Sequence, residues 1–334
     1  MDKQRHDTAI NKGVLIVSEA VCEEVVDAAS AFTAVQSVFA AMARGDAYNF
    51  PVVRESIGYA DALYGFKSGF DRAGMALGVK SGGYWPGNMS KGLTNHQSTV
   101  LLFDPDTGKL KALVGGNYLT AIRTAASSAV SISHLARQDS KVLGMIGAGH
   151  QSAFQLRAAV EQRNFEKLVA WNHHPEMLAG LQLVAEQLGL EFEAVEREQL
   201  GAEADVIITI TSAFEPLLMK DWVKPGTHIA CMGTDTKGKQ EVEVALLASA
   251  SVFTDEIAQS ITIGEAQHAI AAGAIREQDI HSIGEVINKT HGGRRSEQEI
   301  TLFDGTGVGL QDLAVASVAA KLAEEQGRAV YAPL

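Results

Sequence analysis

Three cationic residues in the first part of the chain stand among apolar or small neighbours. Arg54 follows Val52-Val53, Lys80 follows Leu77-Gly78-Val79, and Arg123 sits in a run of Ala, Thr and Ser. A charge in such surroundings needs an anionic partner. An Arg fork matches a carboxylate with two parallel bonds, while Lys supplies a point charge. Taken singly, each is ordinarily an ion pair or a side chain reaching for solvent. Three in one chain outline a pocket for a carboxylate. The segments Tyr84-Trp85-Pro86-Gly87-Asn88 and Asn95-His96-Gln97-Ser98-Thr99 add turns and polar groups for its lining. His96 is a candidate acid or a further carboxylate contact, or a structural histidine. Later, Cys231-Met232-Gly233-Thr234-Asp235 ends an apolar run in a glycine turn bearing a carboxylate. Asp235 either polarises a substrate nitrogen and relays its proton or caps a turn.

A second constellation is KVLGMIGAGHQS, residues 141–152. An apolar strand enters Gly147-Ala148-Gly149, and a helical pattern leaves from His150 and Gln151. This is the opening of a dinucleotide-binding βαβ unit. Gly147 permits the tight turn, Gly149 lets the backbone approach a pyrophosphate, and the helix aims its free N–H groups at that anion. Ser152 stands where a third glycine is usual. About twenty residues on, where an acidic side chain ordinarily holds the ribose, the chain has Asn172, followed by His173 and His174. An amide still bonds a ribose, and no Arg follows for a 2′-phosphate, so NADH is expected, with NADPH not excluded. Thr211 and Ser212, and Met232 and Gly233, follow later strands and are placed to cover the cofactor. No spacing of His, Cys and Glu resembles a metal site, and neither a GxSxG elbow nor a P-loop Lys is present.

These groups need elements to hold them. Residues 13–17 read as a strand and 18–42 as one long helix, while 50–113 alternate short β-like runs with Gly, Asp and Pro turns. That segment is expected to form an antiparallel sheet. Residues 120–135 read as a helix bridging into a βα alternation with strands at 142–146, 168–171, 192–195, 206–211, 228–232 and 252–255. Helices are expected at 150–162, 176–188, around 242–247 and at 263–275, then a last strand at 299–303 and a closing helix at 309–325. The fold class expected is α/β. A doubly wound parallel-sheet (Rossmann) domain spans residues 126–314, and an α+β substrate-binding and dimerisation domain spans 1–125, joined by 315–334.

Composition narrows the partners. The net charge is −12 with no basic block, which disfavours nucleic acid and anionic membrane surfaces. Two cysteines far apart in apolar contexts read as buried thiols of a reducing compartment. The N-terminal MDKQRHDT carries no apolar signal stretch, and no run approaches the roughly eighteen apolar residues of a membrane span. A cytoplasmic, soluble protein is expected.

With these residues in view, the chain resembles the ornithine cyclodeaminase/μ-crystallin family along almost its whole length. The resemblance rests on Phe50-Pro51-Val52-Val53-Arg54, Gly78-Val79-Lys80 with Pro86 and Asn88, and Gln97-Ser98-Thr99. It continues in Thr120 to Ala126, Gly147-Ala148-Gly149-His150-Gln151, and Gly233 to Glu241. It implies an NAD(P)-binding domain, a substrate domain that pairs with its twin in a homodimer, and reduction of 2-oxo-acid imines or deamination of amino acids. By match to the family's motifs, Arg54, Lys80 and Arg123 would hold the substrate carboxylate; His96 and Thr99 are further candidate contacts, and the chain departs from the generic family at Asn95-His96 and Tyr84-Trp85. Asp235 would match the family's catalytic aspartate; Lys80 is the second catalytic candidate, and Arg123, Thr124 and Asp235 are expected to reach the cofactor. The runs YNFPVVRE, GGYWPGN, NHQSTVLLFDPDTG and GTDTKGKQE point within the family to reduction of a four-carbon dicarboxylate imine. The alternatives are a cyclodeaminase retaining NAD, an amino-acid dehydrogenase of the alanine type, and a nucleotide- or small-ligand-binding protein without turnover.

Overall fold

The computed structural model describes residues 13–334; the N-terminal MDKQRHDT lies outside the described residues. The described residues form two compact units, 13–123 with 308–334 and 124–307.

The first unit opens with β1 (Val14–Val17), α1 (Glu19–Val25) and α2 (Ala28–Ala43). The single helix expected over 18–42 is in fact two. Val26 turns extended at φ −106, and Asp27 starts a fresh cap, accepting from the Ser30 amide at 2.8 Å while the Ser30 hydroxyl takes the Asp27 N–H. The reciprocal cap supplies the new helix with an acceptor for its first orphan donor. α2 then buries Ala31, Val35, Val38 and Phe39, one stripe at helical spacing.

Next come β2 (Ala47–Asn49), β3 (Val53–Ser56), β4 (Leu63–Asp71), β5 (Ala76–Tyr84), β6 (His96–Phe103), β7 (Leu110–Gly115) and α3 (Asn117–Leu135). β4 and β5 have nine residues each and outrun the short strands expected, because their ladder continues without a break from Leu63↔Tyr84 to Asp71↔Ala76. Every pairing from β2 to β7 is antiparallel, as expected for that segment, and β1 adds to the sheet in parallel with β7.

The second unit carries β8 (Val142–Ile146), α4 (Ser152–Val160), β9 (Lys167–Trp171), α5 (Leu178–Gln187), β10 (Glu191–Ala194), α6 (Arg197–Glu203), β11 (Val206–Thr209), β12 (Phe214–Leu218), β13 (His228–Cys231) and β14 (Gln240–Val242). It ends with α7 (Val244–Ser249), β15 (Ser251–Thr254), α8 (Ile257–Ser260), α9 (Gln267–Ala271), β16 (Ile280–Ser282), α10 (Ile283–Ile287) and β17 (Thr301–Asp304). Eight of these strands form one parallel sheet in the order β10-β9-β8-β11-β13-β17-β15-β16. From β8 the chain builds outward through β9 and β10, then returns to lay β11 on the other side of β8. That reversal is the topological switch point, where doubly wound sheets bind ligands beyond the carboxyl ends of their strands. β12 and β14 pair separately, and no β-pattern in the sequence marks either. The expected helix over 263–275 is only the short α9, Gln267–Ala271, and α8, Ile257–Ser260, lies ahead of that stretch.

The chain returns to the first unit at Val308, seven residues ahead of the expected 315, through α11 (Gly309–Glu325) and β18 (Val330–Ala332). α11 packs on α2, β4 and β5 and buries Leu310, Leu313, Val315 and Ala316. Its first turn already belongs to the first unit because Asp312 is the counter-charge of a buried cation pair there.

Candidate functional site

In the first unit β5 delivers Lys80 and α3 delivers Arg123, each 7% exposed. Both meet Asp312 of α11, which is fully buried. The Lys80 ammonium lies 2.8 Å from Asp312 Oδ2, and Arg123 Nε donates to Oδ1 at 3.0 Å. Gln311 Oε1 accepts from Arg123 Nη1 at 2.9 Å, and Lys80 Nζ also reaches the Thr120 hydroxyl at 3.4 Å. The anionic partner demanded by two apolar-context cations is thus supplied from within the chain. Two cations and one carboxylate leave one positive charge in surplus. Burial lowers the Lys80 pKa to about 7, against the pull of Asp312 and with repulsion from Arg123 and Lys67. The same pairing holds the Asp312 carboxyl below its ordinary range in spite of its burial.

Strand alternation sorts the remaining candidates. Lys80 registers opposite Lys67 on β4 and Val100 on β6. His96 is four residues from Val100 and shares that face, whereas Thr99 faces the other side. Thr99 is therefore removed from the Lys80 face, a correction to its expected role as a contact beside Lys80. His96 is confined to a neutral role. Burial first, then Lys80, pushes its pKa to about 3, so it offers one N–H and one acceptor but no charge. Arg54 differs from the other two cations: β3 is exposed along its length, so the apolar burial expected of Arg54 is absent. Arg123, also expected to touch the cofactor, hydrogen-bonds Asp312 and Gln311.

In the second unit Gly147 has φ +113, and a Cβ there would lie 2.5 Å from the Ile210 carbonyl oxygen. Only glycine lets β8 turn this close to the end of β11. A Cβ on Gly149 would meet nothing within 4 Å, so the space above the turn is open to a ligand. The Ala148 amide donates to Asn172 Oδ1 at 3.0 Å, and Asn172 Nδ2 donates to the His174 carbonyl at 2.8 Å. Asn172 thus braces the glycine turn as well as standing at the ribose position. His173 is exposed, its ring edge-on to His174. α4 begins at Ser152, two residues after His150, and its N-cap Gln151 makes no side-chain cap bond. Gln151 Oε1 is buried without a hydrogen-bond partner. Open space, uncapped helix amides and an orphaned acceptor together fit a dinucleotide's pyrophosphate and hydroxyls. The Ser152 hydroxyl closes the turn on the Gly149 carbonyl at 2.7 Å. Thr124 is buried as the first residue of this unit.

The far wall is held by a residue that sequence reasoning missed. Glu241 on β14 is fully buried and accepts from the Thr209 hydroxyl, the Thr211 amide, the Thr211 hydroxyl and the Gly233 amide at 2.7–2.9 Å. It ties the end of β11 to the end of β13. Behind it Glu265 accepts from the Glu241 and Val242 amides at 2.9 and 2.8 Å and faces the Thr234 hydroxyl. Burial and Glu241 raise the Glu265 pKa to about 8. Asp235 follows in the same loop, half-buried, its Oδ1 2.8 Å from Lys239 Nζ, which also donates to the Gly233 carbonyl. Ser212 is exposed at the mouth of this wall and Met232 is buried in it. The sign of Asp312 in the sequence is a carboxylate inside an apolar run, at GLQDLAV, and Glu241 closes the family-like run GTDTKGKQE just before the apolar VEVALL.

The class defined here is an α/β protein with a dinucleotide-type turn in one unit and a buried cation site in the other. The model of the ornithine cyclodeaminase/mu-crystallin family matches residues 12–327. Iminosuccinate reductase of Paracoccus denitrificans is 61% identical over 314 residues, 94% of this chain and 98% of that protein. Its crystal structure in complex with NAD+ superposes with a TM-score of 0.92 over 95% of this chain and 98% of that one. Alanine dehydrogenase of Archaeoglobus fulgidus is 34% identical over 91% of this chain and 93% of that protein. The chain belongs to the ornithine cyclodeaminase/mu-crystallin family. Among the described residues no single helix is long and apolar enough to cross a membrane.

Proposed function

We propose that this chain is an NADH-dependent imine reductase that converts iminosuccinate to L-aspartate. The observation that carries the reading is the surplus positive charge of the Lys80–Arg123–Asp312 cluster, in a chain 61% identical to an iminosuccinate reductase. One substrate carboxylate neutralises that surplus. Arg54 and Lys67, on neighbouring strands of the same sheet, supply cations for the second carboxylate of a four-carbon diacid. Neutral His96 contributes a hydrogen bond rather than charge. Asp235, a carboxylate steadied by Lys239, holds the proton on the substrate nitrogen, since an iminium is a better electrophile than an imine. The turn at Gly147–Gly149 and the amides of α4 hold the pyrophosphate, Asn172 and His173 lie at the ribose, and Thr211, Ser212, Met232 and Gly233 wall the nicotinamide side. The bound cofactor supplies the hydride; the chain supplies charge and orientation.

A homodimer is part of the proposal. The sheet face opposite Lys80 carries Leu77, Val79, Leu101, Phe103 and Leu113 only half-buried, with Ile16, Tyr64 and Phe66 exposed at 36%, 43% and 41%. An apolar face of this kind marks a protein interface. The two buried free thiols, Cys22 and Cys231, accord with a cytoplasmic location.

The test is NADH oxidation with oxaloacetate plus ammonia beside pyruvate plus ammonia. Turnover confined to the four-carbon diacid, with aspartate as product, supports the reading. Equal or better turnover with pyruvate favours an alanine-type dehydrogenase, and ammonia release from ornithine with NAD+ favours a cyclodeaminase. NADH binding without any turnover leaves a binding protein.

A further inference from the structure

We propose that Asp312 is a positioning residue of the substrate site, whose carboxylate keeps the Lys80 ammonium charged and sets the Arg123 fork toward an incoming carboxylate. The inference rests on the function proposed above and deepens it.

Asp312 spends one oxygen on each cation, Oδ2 on Lys80 at 2.8 Å and Oδ1 on Arg123 Nε at 3.0 Å, from the first turn of α11. Gln311, the residue before it, fixes Nη1 of the same guanidinium at 2.9 Å. Nε and Nη1 are thereby committed to the protein, and Nη2 is the nitrogen of the fork left to a ligand. The groups acting on Lys80 come from every neighbouring element: Lys67 across the β4 ladder, His96 on β6, Arg123 on α3 and Asp312 on α11. Three of the four are cations or a neutral imidazole. Asp312 alone among them favours a charged Lys80, and without it burial and like charge both drive the proton off.

The substitution D312N separates this role from simple packing. Its amide oxygen still accepts from Arg123 Nε. Its NH2 then faces Lys80, and an N–H fits there only against the lone pair of a neutral amine. The variant is thus shaped for a deprotonated Lys80.

The experiment is calorimetric titration of the NADH-loaded enzyme with succinate, a non-reacting four-carbon diacid, between pH 5.5 and 8.5, with propionate as a monocarboxylate comparison. In the wild type, binding weakens as pH rises through about 7, where Lys80 loses its proton. In D312N the midpoint falls by about one pH unit or more, and affinity at pH 7 drops roughly tenfold, the equivalent of that shift. D312E keeps the charge but moves it by one methylene. It retains the wild-type midpoint with weakened affinity, and it carries the test if D312N does not fold. A D312N midpoint equal to the wild type overturns the proposal, and so does D312E binding succinate with wild-type affinity. If the wild type binds propionate as tightly as succinate, the dicarboxylate reading fails on its own. The midpoint comparison is then read with propionate and decides the role of Asp312 just the same.

Discussion

Glu241 and Glu265 are both fully buried carboxylates a few residues from the proposed cofactor wall, yet the structure assigns them opposite sensitivities. Each oxygen of Glu241 faces one main-chain N–H, Thr211 for Oε1 and Gly233 for Oε2, besides a threonine hydroxyl. A hydroxyl can turn and accept; a peptide N–H cannot. In E241Q, whichever way the amide is set, its NH2 meets a peptide N–H. One hydrogen bond to a charged acceptor is lost and a buried donor is orphaned, together costing about 2–4 kcal/mol. Glu265 is built differently. Its Oε1 takes both main-chain donors, Glu241 and Val242, and its Oε2 faces only the Thr234 hydroxyl. An amide fits there with its NH2 toward Thr234, so E265Q costs less than about 1 kcal/mol. The same reasoning puts any proton the pair retains on Glu265 Oε2. Thermal unfolding reads the contrast: E241Q lowers the Tm by roughly 5–12 °C and E265Q by about 3 °C or less. NADH affinity falls severalfold in E241Q alone, because Thr211 and Gly233 lose their tie. Equal damage from the two substitutions, or an E241Q as stable as the wild type, refutes the argument.

The pH dependence of stability follows from the raised carboxyl. Glu265 titrates near 8 in the fold against an ordinary 4.5, so its contribution is full below about 4.5 and is lost as pH rises through 8. The wild type therefore loses Tm between pH 6 and 9 more steeply than E265Q; parallel curves contradict the assignment. The two glycines of the turn also separate. G147A, with its Cβ 2.5 Å from the Ile210 carbonyl oxygen and φ at +113, destabilises the second unit. G149A, open on every side, leaves the Tm within about 1 °C and weakens NADH binding about tenfold or more; retained affinity removes Gly149 from the cofactor site. R123A is expected to retain NADH binding and lose imine turnover by two orders of magnitude or more, since a buried charge-assisted pair goes with it; unchanged turnover sinks the carboxylate pocket. H96Q, which keeps a neutral hydrogen-bonding side chain, preserves the pH profile between 5 and 8, and a displaced limb there shows that His96 carries charge after all.

Much of the second unit was legible because its signals are local. A five-residue apolar strand, a glycine turn and a helix are contiguous at 142–160, and βα alternation follows from hydrophobic period and spacing alone. The closing helix at 309–325 could be read for the same reason. Boundaries went astray where a cap or a ladder decides them. Asp27 restarts a helix whose hydrophobic period runs on unbroken, and β5 continues through Gly82 and Gly83, which sequence alone reads as a turn.

Residue types in the sequence were enough to single out Lys80 and Arg123 as buried cations and Gly147 and Gly149 as the turn. The family followed from motifs spread along the chain. Only the tertiary structure decided which charge answers which. Asp312 meets Arg123 from 189 positions away and Glu241 meets Thr209 from 32, and no local pattern encodes such a pairing. The face of Thr99 likewise depends on strand register, where a shift of one residue moves a side chain to the opposite side of the sheet. The neutrality of His96 depends on burial beside Lys80. Periodicity and motif are properties of neighbours in the chain; charge state and partnership are properties of neighbours in space, and the fold alone brings those together.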